Sequence, residues 1–412
     1  CATFPPRGGS GVQRAYHQAD LLTAAGHDVW VITEFATELW VHDRSFTPAH
    51  INESKITRIP NQLNVINRAR RKAGKYVAFA QLYPDLYAPW RSDALREACK
   101  IVSKESIDVV LVSVGSPSAL EVAARLKQAT KKLSLVVDMR DLWVGNPVRF
   151  MGRGSWQPLK TLRDRINERR WLTRADAIIN VSDNHSHVLQ KRYPQIGKEK
   201  FHVIQNGFDE AKFATAIPER NGETRLLIRY IGFVLPEQRP EVFFRALKQV
   251  DKNAPNAVPN VCCEFYGGNP GFVEREAQKA GVQHLVTAYG YVDHDRAVSL
   301  MLGADVLLLL WTNDPGCMCG KFYEYLRSGQ FILAFDQNNK DARKVLDSTA
   351  RGKWLSVDDT DSHARKIQEL IDTKISGQPL QPDCLPEITE FSRQHQAEHL
   401  AQILKDVLLR NQ

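Results

Sequence analysis

Apolar residues along this chain gather into short continuous runs separated by longer stretches of helical spacing. The first half carries DVWVIT (28–33), IDVVLVSVG (107–115), LSLVVD (133–138) and DAIINV (176–181). The second carries RLLIRYIG (225–232), VCCEFYG (261–267), DVLLLL (305–310) and FILAF (331–335). Continuous rather than alternating apolar character predicts strands buried on both faces, hence parallel sheets covered by helices. Two such series predict two doubly wound α/β domains. The break falls in VIQNGFDEAKFATAIPERNGETR (203–225), which is polar and turn-rich. Residues 1–205 and 206–387 are therefore expected to be the two domains. A last helical stretch, 388–412, must bury its apolar face and is expected to pack back on the first domain. No internal repeat is evident beyond the strand–helix alternation.

The chain opens CATFPPRGGSGVQR and runs straight into a helical pattern. Gly8, Gly9 and Gly11 lie between a scrap of strand and that helix, where missing side chains permit close approach to the backbone. The helix-start amides carry partial positive charge, so a phosphate is the natural visitor. A tight strand-to-helix turn explains the same glycines, and the spacing is not that of a dinucleotide fingerprint. Only Cys1 to Phe4 precede the turn, so a β-α-β unit predicts further strand residues before Cys1.

Composition is that of an ordinary soluble fold. The 412 residues are 43% hydrophobic and 25% charged, as in ordinary globular proteins. The net charge of +8 favours an anionic partner: a nucleotide, nucleic acid or an acidic lipid surface. No nucleic-acid-binding module is recognisable, which removes that class. Seven cysteines without a CxxC pair or zinc spacing predict reduced thiols and a cytoplasmic setting. No run is long and apolar enough for a membrane span.

Residues just after strands are the candidates for chemistry, since open α/β sheets gather ligands there. VVDMRDLWVGN (136–146) puts Asp138, Arg140, Asp141 and Trp143 at a strand end. An Asp–Arg ion pair over a packed Trp accounts for them equally well, and Asp141 is the carboxylate nominated near reacting groups. YIGFVLPEQRPEVFFRAL (230–247) places Gly232 after a strand and Arg239 at a helix start opened by Pro240. A forked, always charged arginine there suits a diphosphate, or is simply a solvated surface charge. In GCMCGKFYEYLRSGQFILAF (316–335), Gly320 precedes Lys321, and Glu324 follows one turn later on the same face. Lysine on phosphate and carboxylate on ribose hydroxyls would hold a nucleotide; an intrahelical ion pair is the simpler alternative. DTD (359–361) and DNHSH (183–187) have metal-ligating residue types but read as helix caps. Two stretches are strongly basic: 57–75, with six basic residues and no acid, and 149–174, with Phe150, Trp156 and Trp171 interspersed. Either is a solvated face or a surface for an anionic membrane.

Four segments in order resemble the family 4 retaining glycosyltransferases of the GT-B fold: GSGVQRAYHQADLLTAAGHDVWVIT, VIQNGFD, GYVDHDRAVSLMLGADVLLLL and GKFYEYLRSGQFILA. The second is similar to the family's I-x-N-G-x-D segment and the last to its donor helix. DMRDLW and QRPEVFFRAL resemble a subgroup associated with bacterial surface polysaccharides.

The resemblance implies two Rossmann-like domains facing across a cleft, acceptor side first and nucleotide-sugar side second. It implies transfer from a UDP-linked sugar to a saccharide or lipid-linked acceptor. Gly11 would then offer its amide to the donor diphosphate, with Arg239 and Lys321 as the phosphate-binding cations. Glu324 would hold the ribose, and the main chain of Tyr291 and Val292 the base. Three positions depart from the family pattern: the first acid of E-x7-E falls at Gly316, a common basic residue is Phe233, and a frequent His stands at Asp141. The implied mechanism is a same-face substitution assisted by the leaving phosphate, with neither metal nor cofactor. An epimerase acting on nucleotide sugars and a catalytically silent nucleotide-sugar-binding subunit are the rival expectations. A peripheral position on the inner face of an anionic membrane is expected from the basic stretches of the first domain.

Overall fold

Strand formation follows the apolar runs closely. The computed structural model describes residues 1–35, 42–61, 83–145, 157–220, 222–254, 260–311, 314–336 and 338–411. They divide into two units, Cys1–Gln205 with Arg393–Gln412, and Asn206–Ser392.

In unit 1 the elements are α1 (Ser10–Ala24), β1 (Val31–Glu34), β2 (Ile56–Ile59), α2 (Arg91–Glu105), β3 (Val109–Val114), α3 (Pro117–Ala129), β4 (Ser134–Met139), α4 (Gln157–Leu172), β5 (Ala177–Asn180), α5 (Asp183–Arg192) and β6 (Phe201–Val203). β3, β4, β5 and β6 form a parallel sheet in that order, and β1 and β2 a separate parallel pair. Every residue of β4 and β5 is buried, as continuous apolar runs require.

Unit 2 holds α6 (Glu210–Thr215), β7 (Leu226–Ile231), α7 (Pro240–Asn253), β8 (Val261–Tyr266), α8 (Pro270–Ala280), β9 (Val286–Tyr289), α9 (His294–Leu302), β10 (Val306–Leu310), α10 (Gly320–Ser328), β11 (Phe331–Asp336), α11 (Lys340–Thr349), β12 (Gly352–Ser356) and α12 (Thr360–Ile375). Its six strands are all parallel, in the order β12-β11-β10-β7-β8-β9. Phe243, Phe244 and Val242 of α7 and Ile367, Leu370 and Ile371 of α12 cover that sheet in one continuous core.

The terminal helix, α13 (Arg393–Asn411), belongs to unit 1. Its Leu400, Ile403, Leu404 and Val407 pack with Val136, Ile179 and Leu22. Burying each such side chain contributes roughly 1.5–3 kcal/mol, enough to hold a helix drawn from the far end of the sequence. The helix starts at Arg393 rather than at 388. Residues 389–391 make a 3-10 turn whose Phe391 packs against Tyr323, so unit 2 keeps five more residues than the sequence pattern predicts.

Candidate active site

The strand order of unit 2 creates a switch point. Chain connections diverge from β7 toward β8 on one side and β10 on the other, and doubly wound sheets hold ligands in the crevice beyond the carboxyl ends at such a point. Gly232 follows β7 directly, with φ of 137°, a conformation that side chains disfavour. A Cβ there would lie 2.8 Å from Lys321 Nζ, so glycine is what lets the ammonium rest over this turn. Lys321 Nζ donates to Tyr230 Oη at 2.6 Å, and Tyr230 itself is fully buried. Tyr325, one helical turn after Lys321, accepts from the Ile231 amide at 2.9 Å and pins α10 to the end of β7. Asn206 and Asn339 donate to the Met318 and Cys317 carbonyls at 2.6 and 2.7 Å, fixing the loop that leads into α10. Helix α10 opens at Gly320 with no side-chain cap from Cys319; the Phe322 amide turns back to the Cys319 carbonyl at 3.2 Å, and the first turn carries the positive end of the helix dipole. Burial pushes the Cys319 thiol up, so it stays protonated beside this turn.

Glu324 does not pair with Lys321. Its Oε1 lies 2.7 Å from His294 Nε2, on the first residue of α9, and both side chains are over 90% buried. The i, i+3 ion pair offered by the sequence is thus replaced by two separate partners, Tyr230 for the lysine and His294 for the glutamate. Arg239 is half-buried with φ of 53°, between a 3-10 turn and α7, and contacts Glu241 at 3.3 Å and Asp358 at 3.5 Å. Tyr291 is exposed and Val292 half-buried, in the loop between β9 and α9. Gly316, the departure from the family's first acid, lies in a turn whose amide donates to Asp314 at 3.1 Å.

In unit 1 the Asp–Arg pair exists, but with a different arginine. Asp138, fully buried, receives Arg14 Nε at 2.8 Å and Nη2 at 2.8 Å, and Gln18 Nε2 at 3.0 Å. The remaining Arg14 donors reach the Ile204 and Gln205 carbonyls, at 2.9 and 2.8 Å. Arg140 instead donates to the Gly11 carbonyl, and its guanidinium covers the backbone there: a Cβ on Gly11 would sit 3.2 Å from Nη2. The group that approaches the glycine turn in this structure is therefore an arginine. Asp141, half-buried beyond β4, makes no side-chain hydrogen bond among the described residues, in contrast to Asp138. Trp143 stacks on Trp171 with ring centres 5.2 Å apart.

That stacking corrects one expectation. Trp171 is 6% exposed and part of the core, so it is withdrawn from any surface of 149–174. Phe150, Trp156, Arg68, Arg70, Arg71 and Lys72 lie outside the described residues. Asp359 caps α12 through the Ser362 amide, and Ser182 caps α5 through the His185 amide, so DTD and DNHSH serve helix starts. Among the described residues no three His, Cys, Asp or Glu come together as a metal site, and all seven cysteines are free.

Sequence reasoning missed His294, Tyr230 and Arg14. Each acts on a partner remote in the chain, and no local spacing announces it.

Two family models together span nearly the whole chain, Glycosyltransferase Family 4 over residues 8–212 and Glycosyl transferases group 1 over 213–381. The chain is a family 4 glycosyltransferase. Its fold is GT-B, and the glycosyltransferase is similar in structure to three solved proteins. Anabaena HepE, in complex with UDP and glucose, is 14% identical with a TM-score of 0.64, covering 98% of this chain and 98% of that one. WaaG, a glycosyltransferase involved in lipopolysaccharide biosynthesis, is 16% identical with a TM-score of 0.62, over 99% and 97%. Sucrose-phosphate synthase from Thermosynechococcus elongatus is 15% identical with a TM-score of 0.61, over 99% and 96%. No curated protein matches the glycosyltransferase in sequence.

Proposed function

We propose that this glycosyltransferase moves a sugar from a UDP-linked donor to a saccharide or lipid-linked acceptor in polysaccharide biosynthesis, with retention at the anomeric carbon. The observation that carries the reading is the convergence at the β7–β10 switch point of Gly232, Lys321, the open start of α10 and buried Glu324. The reading gives Lys321, Arg239 and the Gly320 helix-start amides to the diphosphate. Glu324 accepts both ribose hydroxyls, and the main chain of Tyr291 and Val292 meets the base. On unit 1 it gives the Gly11 amide to the diphosphate and Asp141 to the reacting sugar. Uridine is chosen because HepE binds UDP, and a polysaccharide product because WaaG serves lipopolysaccharide synthesis.

In the reaction the bond from the anomeric carbon to the phosphate oxygen breaks while the acceptor oxygen bonds to that carbon on the same face. The acceptor proton passes to the departing phosphate, and UDP leaves. Preorganised cations and amides stabilise the charge that develops on it. Incubation with UDP-sugars and a saccharide acceptor, followed by proton NMR of the new linkage, tests this. The anomeric configuration of the donor is expected in the product; inversion contradicts it. Turnover of donor with no acceptor to give a 2-epimer would favour the epimerase, and neither outcome would leave a silent binding subunit. Activity in the same assay is expected to survive EDTA, because side-chain cations serve the phosphates. Loss restored by a divalent metal would overturn that expectation.

We further propose that unit 1 rests peripherally on the inner face of an anionic membrane. No helix of the described residues is long and apolar enough to cross one. Support comes from α4, which exposes Leu159, Leu162 and Ile166 along one stripe flanked by arginines. Wild type is expected to sediment with phosphatidylglycerol vesicles at low salt and not with neutral ones. Equal recovery with both would contradict it.

A further inference from the structure

Helices that pack side by side ordinarily meet through apolar side chains. In unit 1 α3 and α4 do so at Ala124 and Trp171, and beside that contact they border a cavity of about 350 Å³ lined by five arginines. Arg163 and Arg170 lie on one face of α4, Arg174 follows in the turn that ends it, Arg125 comes from α3, and Arg91 opens α2. One carboxylate, Glu121, shares the space.

Among the described residues that line the cavity the charges do not balance. Glu121 is committed to Arg91 in a close ion pair and lies 3.8 Å from Arg125. Arg163 stacks on the Tyr83 ring, its guanidinium carbon 3.6 Å from the ring centre, which orients the fork; its charge also acts on the buried Asp164 carboxylate, which does not line the cavity. Arg174 donates to the Gln128 amide oxygen at 3.2 Å, again a neutral partner. The Arg170 guanidinium has no hydrogen bond or ion pair among the described residues. Arg163 and Arg170 are exposed and Arg174 half-buried, so solvent screens their mutual repulsion in part, and an anion between the three removes the rest.

We propose that this cavity is a second anion site that binds a phosphate or diphosphate group. Planar forks converging from two helices match tetrahedral phosphate oxygens in bidentate fashion, and the neutral Gln128, Asn167 and Tyr83 supply further polar contacts without adding charge. The site lies between α3 and α4, built by residues other than those assigned to the donor, and it depends on neither the donor nor the membrane reading. The exposed stripe of Leu159, Leu162 and Ile166 runs along α4 beside the arginine face, so a phosphate borne by a lipid and a soluble phosphate are both accommodated by the same chemistry.

The test is calorimetric titration of the full chain with inorganic pyrophosphate, repeated with phosphatidic acid vesicles. Arg170→Gln/Arg174→Gln is expected to weaken cavity binding at least about tenfold, since each lost charge-assisted hydrogen bond costs about that factor. Gln128→Glu puts a carboxylate within reach of Arg174; it is expected to abolish the same binding without lowering thermal stability. A Lys321→Ala control separates the sites. If it alone loses a pyrophosphate site, the donor reading stands and the cavity proposal fails. If the arginine variants alone lose one, the reverse holds. Pyrophosphate binding lost in the cavity variants while vesicle binding is kept identifies a soluble phosphate as the source, and vesicle binding lost in the same variants identifies a lipid. Titrations of both cavity variants indistinguishable from wild type, with either probe, would overturn the proposal.

Discussion

Replacing Glu324 with alanine is expected to weaken UDP-sugar binding by roughly a hundredfold and to lower turnover with it. Two hydrogen bonds from ribose hydroxyls to a buried carboxylate are lost, and bonds to charged groups contribute about 1.5–3 kcal/mol each. Glu324→Gln is the informative partner. It keeps shape and the contact with His294 at 2.7 Å but removes the charge, so a loss nearer tenfold is expected. Lys321→Ala should leave the fold intact, since among the described residues the lysine contacts Tyr230 and the Gly232 turn, at the end of one strand. Its effect belongs to the phosphate, with turnover falling more than affinity as leaving-group charge goes uncompensated. Calorimetry with UDP and steady-state kinetics check both. Near-wild-type values for Glu324→Ala and Lys321→Ala together would remove the site from this part of the sheet.

The second large effect concerns stability rather than chemistry. Arg14→Ala is expected to destabilise unit 1 by about 3–5 kcal/mol, the cost of stranding a buried charge. Asp138 is fully buried and receives three of its hydrogen bonds from Arg14, while Arg14 also ties down the Ile204 and Gln205 carbonyls. One side chain thus joins α1, the end of β4 and the last residues before unit 2. Asp138→Ala should cost a similar amount. Asp141→Ala, three residues on, should leave the unfolding midpoint unchanged and lower turnover, because Asp141 holds no structural bond among the described residues. Thermal unfolding followed by calorimetry separates the two carboxylates. A destabilised Asp141→Ala with a neutral Asp138→Ala would reverse their roles.

Strand positions were legible because burial on both faces leaves an unmistakable run of Val, Ile and Leu, as in β4 and β10. The strands without such a run, β2, β6, β9 and β12, are partly exposed edge or short strands, and their sequences carry little apolar signal. Gly232 and Lys321 were legible as candidates because they sit at a strand end and a helix start, and Glu324 because it lies one turn along the same helix face as Lys321. Their partners were not. His294 stands thirty residues before Glu324 on another helix, where it reads only as the residue after an N-cap. Arg14 reads as one more charge on the first helix, although it reaches across to Asp138. Pairings of this kind are set by which helix faces which strand end, and that is decided by tertiary packing. Trp171 shows the converse: a tryptophan in a basic stretch looks like a surface feature until Trp143 is found stacked on it.

The central claim is that a nucleotide diphosphate binds at the switch point of unit 2. Hydrogen–deuterium exchange of the full chain with and without UDP tests it most directly. Protection is expected in peptides covering 232–242, 290–295 and 316–326, the three loops beyond β7, β9 and β10. Protection confined to unit 1, or none in these loops at saturating UDP, would contradict it.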